Sequence, residues 1–143
     1  MDVRIGLTQT PKELEVQLDD DADAIRSAVA NLQLNPGAAG VAFVVGDLRS
    51  ADLPAADIVT ANLTGALLEQ VAPRLLAALR PGGTVIVSGL LAAERAAVIA
   101  AFPGASPSWV AEEDGWVGLA FTPSASDACL TPNPSNPRRG DSV

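Results

Sequence analysis

Residues 57–89 read DIVTANLTGALLEQVAPRLLAALRPGGTVIVSG, and their order decides the fold. An apolar run, Ile58 to Ala61, reaches Asn62. Thr64 then opens a helical pattern carrying Leu67, Leu68, Val71, Leu75, Leu76 and Leu79. Pro81-Gly82-Gly83 stops that helix, and Thr84 to Ser88 is a second apolar run. A strand, a helix with a 3.6-residue apolar period and another strand make a βαβ crossover. Asn62 stands at the carboxyl end of its first strand, the edge at which open α/β sheets bind ligands.

Upstream, Val3, Ile5 and Leu7 alternate with Asp2, Arg4 and Gly6, which predicts a short half-buried strand over 2–7. Thr10-Pro11 breaks it, and Leu14, Val16 and Leu18 alternate again. The link between the two is too short for a parallel crossover, so they are expected to form a hairpin. Asp21 is a good N-cap for a following helix whose Ile25, Ala28, Val29 and Leu32 share one face, predicted buried. Asn35-Pro36-Gly37 ends that helix. The continuous run Val41–Val45 is expected to be a strand covered on both faces, as are Ile58–Ala61 and Thr84–Ser88. Residues 91–101 read as an Ala-rich helix. Asp114-Gly115 is a hairpin turn signal between Trp109–Ala111 and Trp116–Phe121. Strands alternating with helices predict an α/β fold, a doubly wound and mostly parallel sheet closed by an antiparallel hairpin. Residues 14–123 form the expected domain, with 1–13 an N-terminal strand and turn of uncertain role. Residues 124–143, rich in Pro, Ser and Asn, read as a disordered tail.

Composition narrows the function. Apolar residues make up 48% of the 143 residues and charged ones 18%, which permits one buried core. The net charge is -8 with Lys12 the only lysine, so a phosphate backbone as a general partner is disfavoured. The absence of histidine removes imidazole acid–base chemistry and Ser-His-Asp triads, and no metal site is expected. Cys129 is alone and forms no intrachain disulfide. The N-terminus lacks the basic start and apolar core of a signal peptide, and no long apolar run is free of breaks. Cytoplasm is the expected compartment, by elimination.

Three strand ends carry polar groups. Asp19 could accept both hydroxyls of a ribose, or simply decorate the start of a helix. Gly46 would let a ligand approach the backbone and Asp47 could accept from an adenine amino group; the pair equally well signals a turn. Asn62 could bind a polar ligand or orient a reacting nitrogen, or begin the turn into the next helix.

The order and spacing of these segments resemble the second half of a class I S-adenosylmethionine (SAM) methyltransferase. The match is closest to the PrmA-type enzymes that methylate a large-subunit ribosomal protein. DDDADAIRSAVANLQLNP resembles the family's stretch with an acid ending its second strand. VVGDL resembles the adenine-side motif, DIVTANLTG the catalytic-strand motif, LRPGGTVIVSGLL the Pro-Gly-Gly turn with its strand, and EDGWVGLAF the closing strand. The resemblance spans roughly residues 15–122 and implies a partial Rossmann-like fold. It implies SAM as cofactor, with Asp19 on ribose, Gly46 and Asp47 on adenine, and Asn62 as the cofactor-binding and catalytic residue at the reacting end. The methyl acceptor it implies is an amine of a protein. The family's Gly-x-Gly-x-Gly loop is not found here; the glycine before Asp19 is Gly6. The chain therefore reads as a truncated transferase of this type that binds SAM weakly or not at all alone. The alternative is a non-catalytic remnant or split-enzyme module, with a complementing chain or a homo-oligomer as partner.

Overall fold

The computed structural model describes residues 2–9, 12–104 and 106–123, with side chains from residue 15 onward. Seven strands form one sheet in the order β3-β2-β1-β4-β5-β7-β6. They are β1 (Asp2–Gln9), β2 (Lys12–Asp19), β3 (Val41–Val45), β4 (Ala56–Asn62), β5 (Leu79–Leu91), β6 (Pro107–Glu113) and β7 (Trp116–Phe121). The helices are α1 (Ala22–Gln33), α2 (Gly65–Ala78) and α3 (Arg95–Ala101). The predicted tail lies outside the described residues.

Most local signals act as expected, except that α2 ends at Ala78 and β5 begins at Leu79, whose backbone is already extended (ψ 136°), so Pro81-Gly82-Gly83 lies within the strand and does not itself stop the helix. The Asp21 carboxylate accepts from the Asp23 N–H at 2.8 Å, and Thr64 Oγ1 accepts from the Leu67 N–H at 3.4 Å, so both helices begin on side-chain caps. Asp114 and Gly115 have φ of 51° and 81°, the two positive values of a tight β6–β7 hairpin turn. Residues 91–94 depart from expectation. Leu91 ends β5 and a 3-10 turn over Ala92–Glu94 precedes α3, because Glu94 Oε2 accepts from the Leu91 N–H at 2.8 Å.

The pairs β2–β3 and β4–β5 are parallel. From β2 the chain crosses to β3 on one side of the sheet's centre, and from β4 to β5 on the other. Right-handed crossovers therefore place α1 and α2 on opposite faces. Burial agrees. Leu18 and Ala61 both pair with Val3, and both face the core under α2 and α3. That core joins Val59, Val85 and Val87 to Leu68, Val71, Leu75 and Val98. It includes Phe102 stacked on Phe121, with ring centroids 4.2 Å apart.

The opposite face is covered only where α1 stands over β2 and β3. There the expectation of strands buried on both faces fails. β3 is an edge strand with Val44 and Val45 exposed, while Ile58 of β4 and Ile86 of β5 are 43% and 39% exposed. The expected buried face of α1 is only half-buried at Ile25, Ala28 and Leu32, and Val29 is exposed. A helix over one end of a sheet has no neighbouring helix to pack its flank.

β1 occupies the centre. It is the expected hairpin partner of β2, and it also pairs with β4, antiparallel to both. One strand thus runs against the direction of the four parallel strands around it.

Candidate functional site

Because β2 to β5 run the same way, Asp19, Gly46, Asn62 and Ser88 all fall at one edge of the sheet. Asp19 pairs with Val45, and Asn62 pairs with Ser88. The register across β1 places Asp19 and Asn62 on the same face, the one that carries α1. Two strand spacings separate them, about 10 Å. Asp2 of β1 is the register partner of Asn62 between them.

Asp19 is 8% exposed and is the buried charged residue of the described chain. Its Oδ1 accepts from the Asp21 N–H at 2.9 Å, and its carbonyl accepts from the Gly46 N–H at 3.0 Å. The carboxylate therefore helps start α1, yet two oxygens accept about four hydrogen bonds, so capacity remains. A hollow of about 340 Å³ opens beside it, lined by Gln17, Asp19, Ile25, Ala28 and Asn31.

Asp47 sits in the turn after β3. Its carboxylate takes the Arg49 N–H at 2.9 Å and the Arg49 guanidinium at 2.9–3.2 Å. Those hydrogen bonds hold the Asp47 carboxyl below its ordinary range, and the same contact raises Arg49. The Asp47 carbonyl accepts from Ser50 and Ala51. Leu48, buried in the core, and Arg74 of α2, donating to the Leu48 carbonyl at 3.0 Å, anchor this loop from the far face. The turn role of Asp47 is thus visible, with its carboxylate already engaged. Gly46 packs closely: a Cβ there would lie 3.3 Å from Leu18.

Asn62 is exposed, and its Oδ1 accepts from Ser88 Oγ at 3.4 Å. Against it lies Gly89, with φ of 88°. A Cβ on Gly89 would stand 2.6 Å from Asn62 Oδ1 and 2.7 Å from the Leu63 carbonyl, so only glycine lets the two strand ends close. The Leu63 N–H donates to the Ser88 carbonyl at 2.9 Å in the same junction. Asn62 and Gly89 belong to two adjoining clefts of about 340 and 390 Å³. The first is walled by Thr64, Leu67 and Trp116. The second is walled by Trp109, Trp116, Glu112 and Glu113, and Trp109 lies over Gly118. The structure thus brings Asn62 together with Ser88, Gly89, Trp109 and Trp116, none of which the sequence alone singled out as site residues. A glycine inside an apolar strand, a sign of close backbone approach, was the signal for Gly89.

The polar edge fits a nucleoside cofactor in part. A carboxylate stands at the end of β2 and an amide at the end of β4. The slot between them holds β1, whose carboxyl end lies at the opposite edge of the sheet. No glycine turn among the described residues meets this edge at its centre. The residues fit the ribose and acceptor ends of such a ligand, and they do not fit its middle.

Residues 8–123 match the family profile described as ribosomal protein L11 methyltransferase (PrmA). A ribosomal protein L11 methyltransferase of Janthinobacterium sp. is 37% identical over 108 residues, which are 73% of this chain and 34% of that protein. One from Rhizobium etli is 46% identical over 67 residues, 46% of this chain and 23% of that protein. The chain spans about a quarter to a third of the length of these relatives. Among solved structures, a ribosomal protein L11 methylase from Lactobacillus delbrueckii subsp. bulgaricus superposes with a TM-score of 0.69 at 23% identity, over 76% of this chain and 57% of that one. An RNA methyltransferase from Salinibacter ruber in complex with S-adenosyl-L-homocysteine gives 0.61 at 24% identity, over 77% and 65%. The fold is that of the class I methyltransferases.

Proposed function

We propose, since this chain belongs to the ribosomal protein L11 methyltransferase (PrmA) family, that residues 14–123 carry the ribose and acceptor sides of a SAM-dependent methyltransferase site acting on a protein amine. One observation carries this reading: Asp19 and Asn62 end parallel strands on the same face and edge of the sheet. When bound, SAM supplies the electrophilic methyl group. Asp19 holds the ribose hydroxyls by charge-assisted hydrogen bonds. Gly46 and the backbone of the Asp47 turn border the adenine. Asn62, braced by Ser88 and Gly89, offers a donor and an acceptor to the incoming nitrogen or the methionine end, a positioning task. The missing centre of the site makes binding by this chain alone weak. A complementing chain or a homo-oligomer is the partner that could supply that centre. A reducing cytoplasm suits the lone Cys129.

The test is an amide-resolved NMR titration of the full chain with S-adenosylhomocysteine to millimolar concentration. Shifts should be confined to Asp19, Gly46–Asp47, Asn62–Leu63 and Ser88–Gly89. Asp19→Ala should weaken affinity by about tenfold or more, the worth of one charge-assisted hydrogen bond of about 1.5–3 kcal/mol, while Asp20→Ala changes little. Shifts centred elsewhere, equal effects of the two substitutions, or micromolar binding by the chain alone would overturn the reading.

A further inference from the structure

Both tryptophans of the chain line one cleft. Phe102 and Phe121 are buried in the core, whereas Trp109 and Trp116 are 54% and 57% exposed. An exposed indole leaves a large apolar surface in water. Two of them at one cleft suit an occupant that interacts with π faces.

Strand register explains how they meet. Trp109, Ala111 and Glu113 share one face of β6, and their partners Ala120, Gly118 and Trp116 share the same face of β7. The middle of this patch carries only Ala111 and Gly118. A Cβ on Gly118 would lie 3.2 Å from Cζ3 and 3.6 Å from Cη2 of Trp109, so the six-membered ring of Trp109 rests on bare backbone. Trp116 stands two residues from Gly118 on the same strand face, about 7 Å along β7. A group seated between the two indoles is therefore within the roughly 6 Å over which an aromatic face attracts a cation. Glu113, the register partner of Trp116, puts a carboxylate on this face and at the same cleft. The ion pairs among the described residues use Asp23, Asp47 and Asp57, and leave the Glu113 charge to a ligand.

Two indoles and one carboxylate around a small floor suit a cation with few donors. A primary ammonium keeps three N–H groups that need acceptors, and indole faces supply none of ordinary strength. A trimethylammonium keeps the charge and has no N–H, so it leaves water cheaply and meets π faces and carboxylate together. The net charge of -8 favours a cationic ligand. The adjoining cleft at Asn62, Thr64 and Leu67 continues the hollow well beyond the size of an ammonium head, which suits a head carried on a longer chain. We infer that the cleft between Trp109 and Trp116 binds a methylated ammonium group borne on a protein segment. This binding needs no cofactor and no chemical step, so it goes beyond methyl transfer: the chain recognises amines that are already methylated.

The test is calorimetric titration of the full chain with blocked Gly-Ser peptides. They carry one trimethyllysine, one unmodified lysine, or an uncharged tert-butyl isostere of the trimethylated side chain. The trimethyllysine peptide should bind about tenfold more tightly than the other two, and it should shift both indole N–H signals in NMR spectra. Trp109→Leu and Trp116→Leu should each weaken it about threefold to thirtyfold, the range of one cation–π contact, while Trp109→Phe keeps most of the affinity. Glu113→Gln should weaken it about twofold to fivefold, and Glu69→Gln on α2 should change nothing. All of these side chains are exposed, so circular dichroism melts should stay close to that of the wild type. Equal affinity for the three peptides, wild-type affinity of both leucine variants, or no binding at millimolar peptide would overturn the inference. Tetramethylammonium chloride binding as tightly as the peptide would overturn its protein-borne part. S-adenosylhomocysteine is absent from these titrations, so their failure leaves the proposed function standing, and failure of the cofactor titration leaves this inference standing.

Discussion

Replacing Gly89 with alanine tests the junction that sets Asn62 in place. At φ of 88° an alanine pays a backbone penalty of about 1–2 kcal/mol. Its Cβ would also stand 2.7 Å from the Leu63 carbonyl, which is backbone and cannot rotate aside. Relief requires the end of β4 to move away from β5, breaking the Leu63–Ser88 hydrogen bond at about 0.5–1.5 kcal/mol. The expected loss is about 1.5–3.5 kcal/mol. For a domain of this size 1 kcal/mol moves Tm by about 4 °C, so the melt should fall by about 6–14 °C. Gly82→Ala is the matched control. Gly82 has φ of 82° but nothing within 4 Å of its would-be Cβ, so it carries the backbone penalty alone, about 4–8 °C. Thermal melts of both variants by circular dichroism decide the matter. If Gly89→Ala melted no lower than Gly82→Ala, the close contact between the two strand ends would be wrong.

Phe121→Ala should cost about 3–5 kcal/mol in urea denaturation, because Phe121 is fully buried and stacked on Phe102; a loss under about 1 kcal/mol would deny the stack. The Asp47 carboxyl should titrate by NMR below its ordinary 3.8, and Arg49→Gln, which keeps the backbone N–H donor but removes the guanidinium, should move it up towards that value. Since its folded value is depressed, the pair's support is present above pH 3.8 and is lost as pH falls through the folded value; identical midpoints in the two proteins would contradict this. Deleting residues 124–143, whose Pro, Ser and Asn offer little apolar surface, should move Tm by no more than a few degrees, and a larger fall would mean that the segment packs.

Much of the sheet was legible because its signals are local. Thr64, Asp21 and Asp114-Gly115 declare caps and a turn by chemistry that needs no distant partner, and the leucine period of α2 survives even Pro73 within it. Coverage was less legible. Val41–Val45 has the apolar run of a doubly covered strand, but whether a strand is covered depends on which helices lie over it, and that is a property of the whole sheet. The direction of β1 followed from its short link to β2, whereas its second partnership, with β4, needs the sheet order. Among site residues, Asp19 and Asn62 stood out because polar groups ending apolar runs are conspicuous. The engagement of Asp47 by Arg49, two residues away, was within reach of the sequence. Trp109 and Trp116 were read only as strand residues, since their meeting with Asn62 depends on β7 pairing beside β5.

Those tryptophans have an optical consequence. The chain contains two tryptophans and no tyrosine, and both tryptophans are more than half exposed at the clefts beside Asn62. Its ultraviolet emission therefore comes from the rim of the site. Native fluorescence should already peak near the wavelength of a solvated indole and shift little when the core melts. What it will report sensitively is any molecule that settles between the two rings.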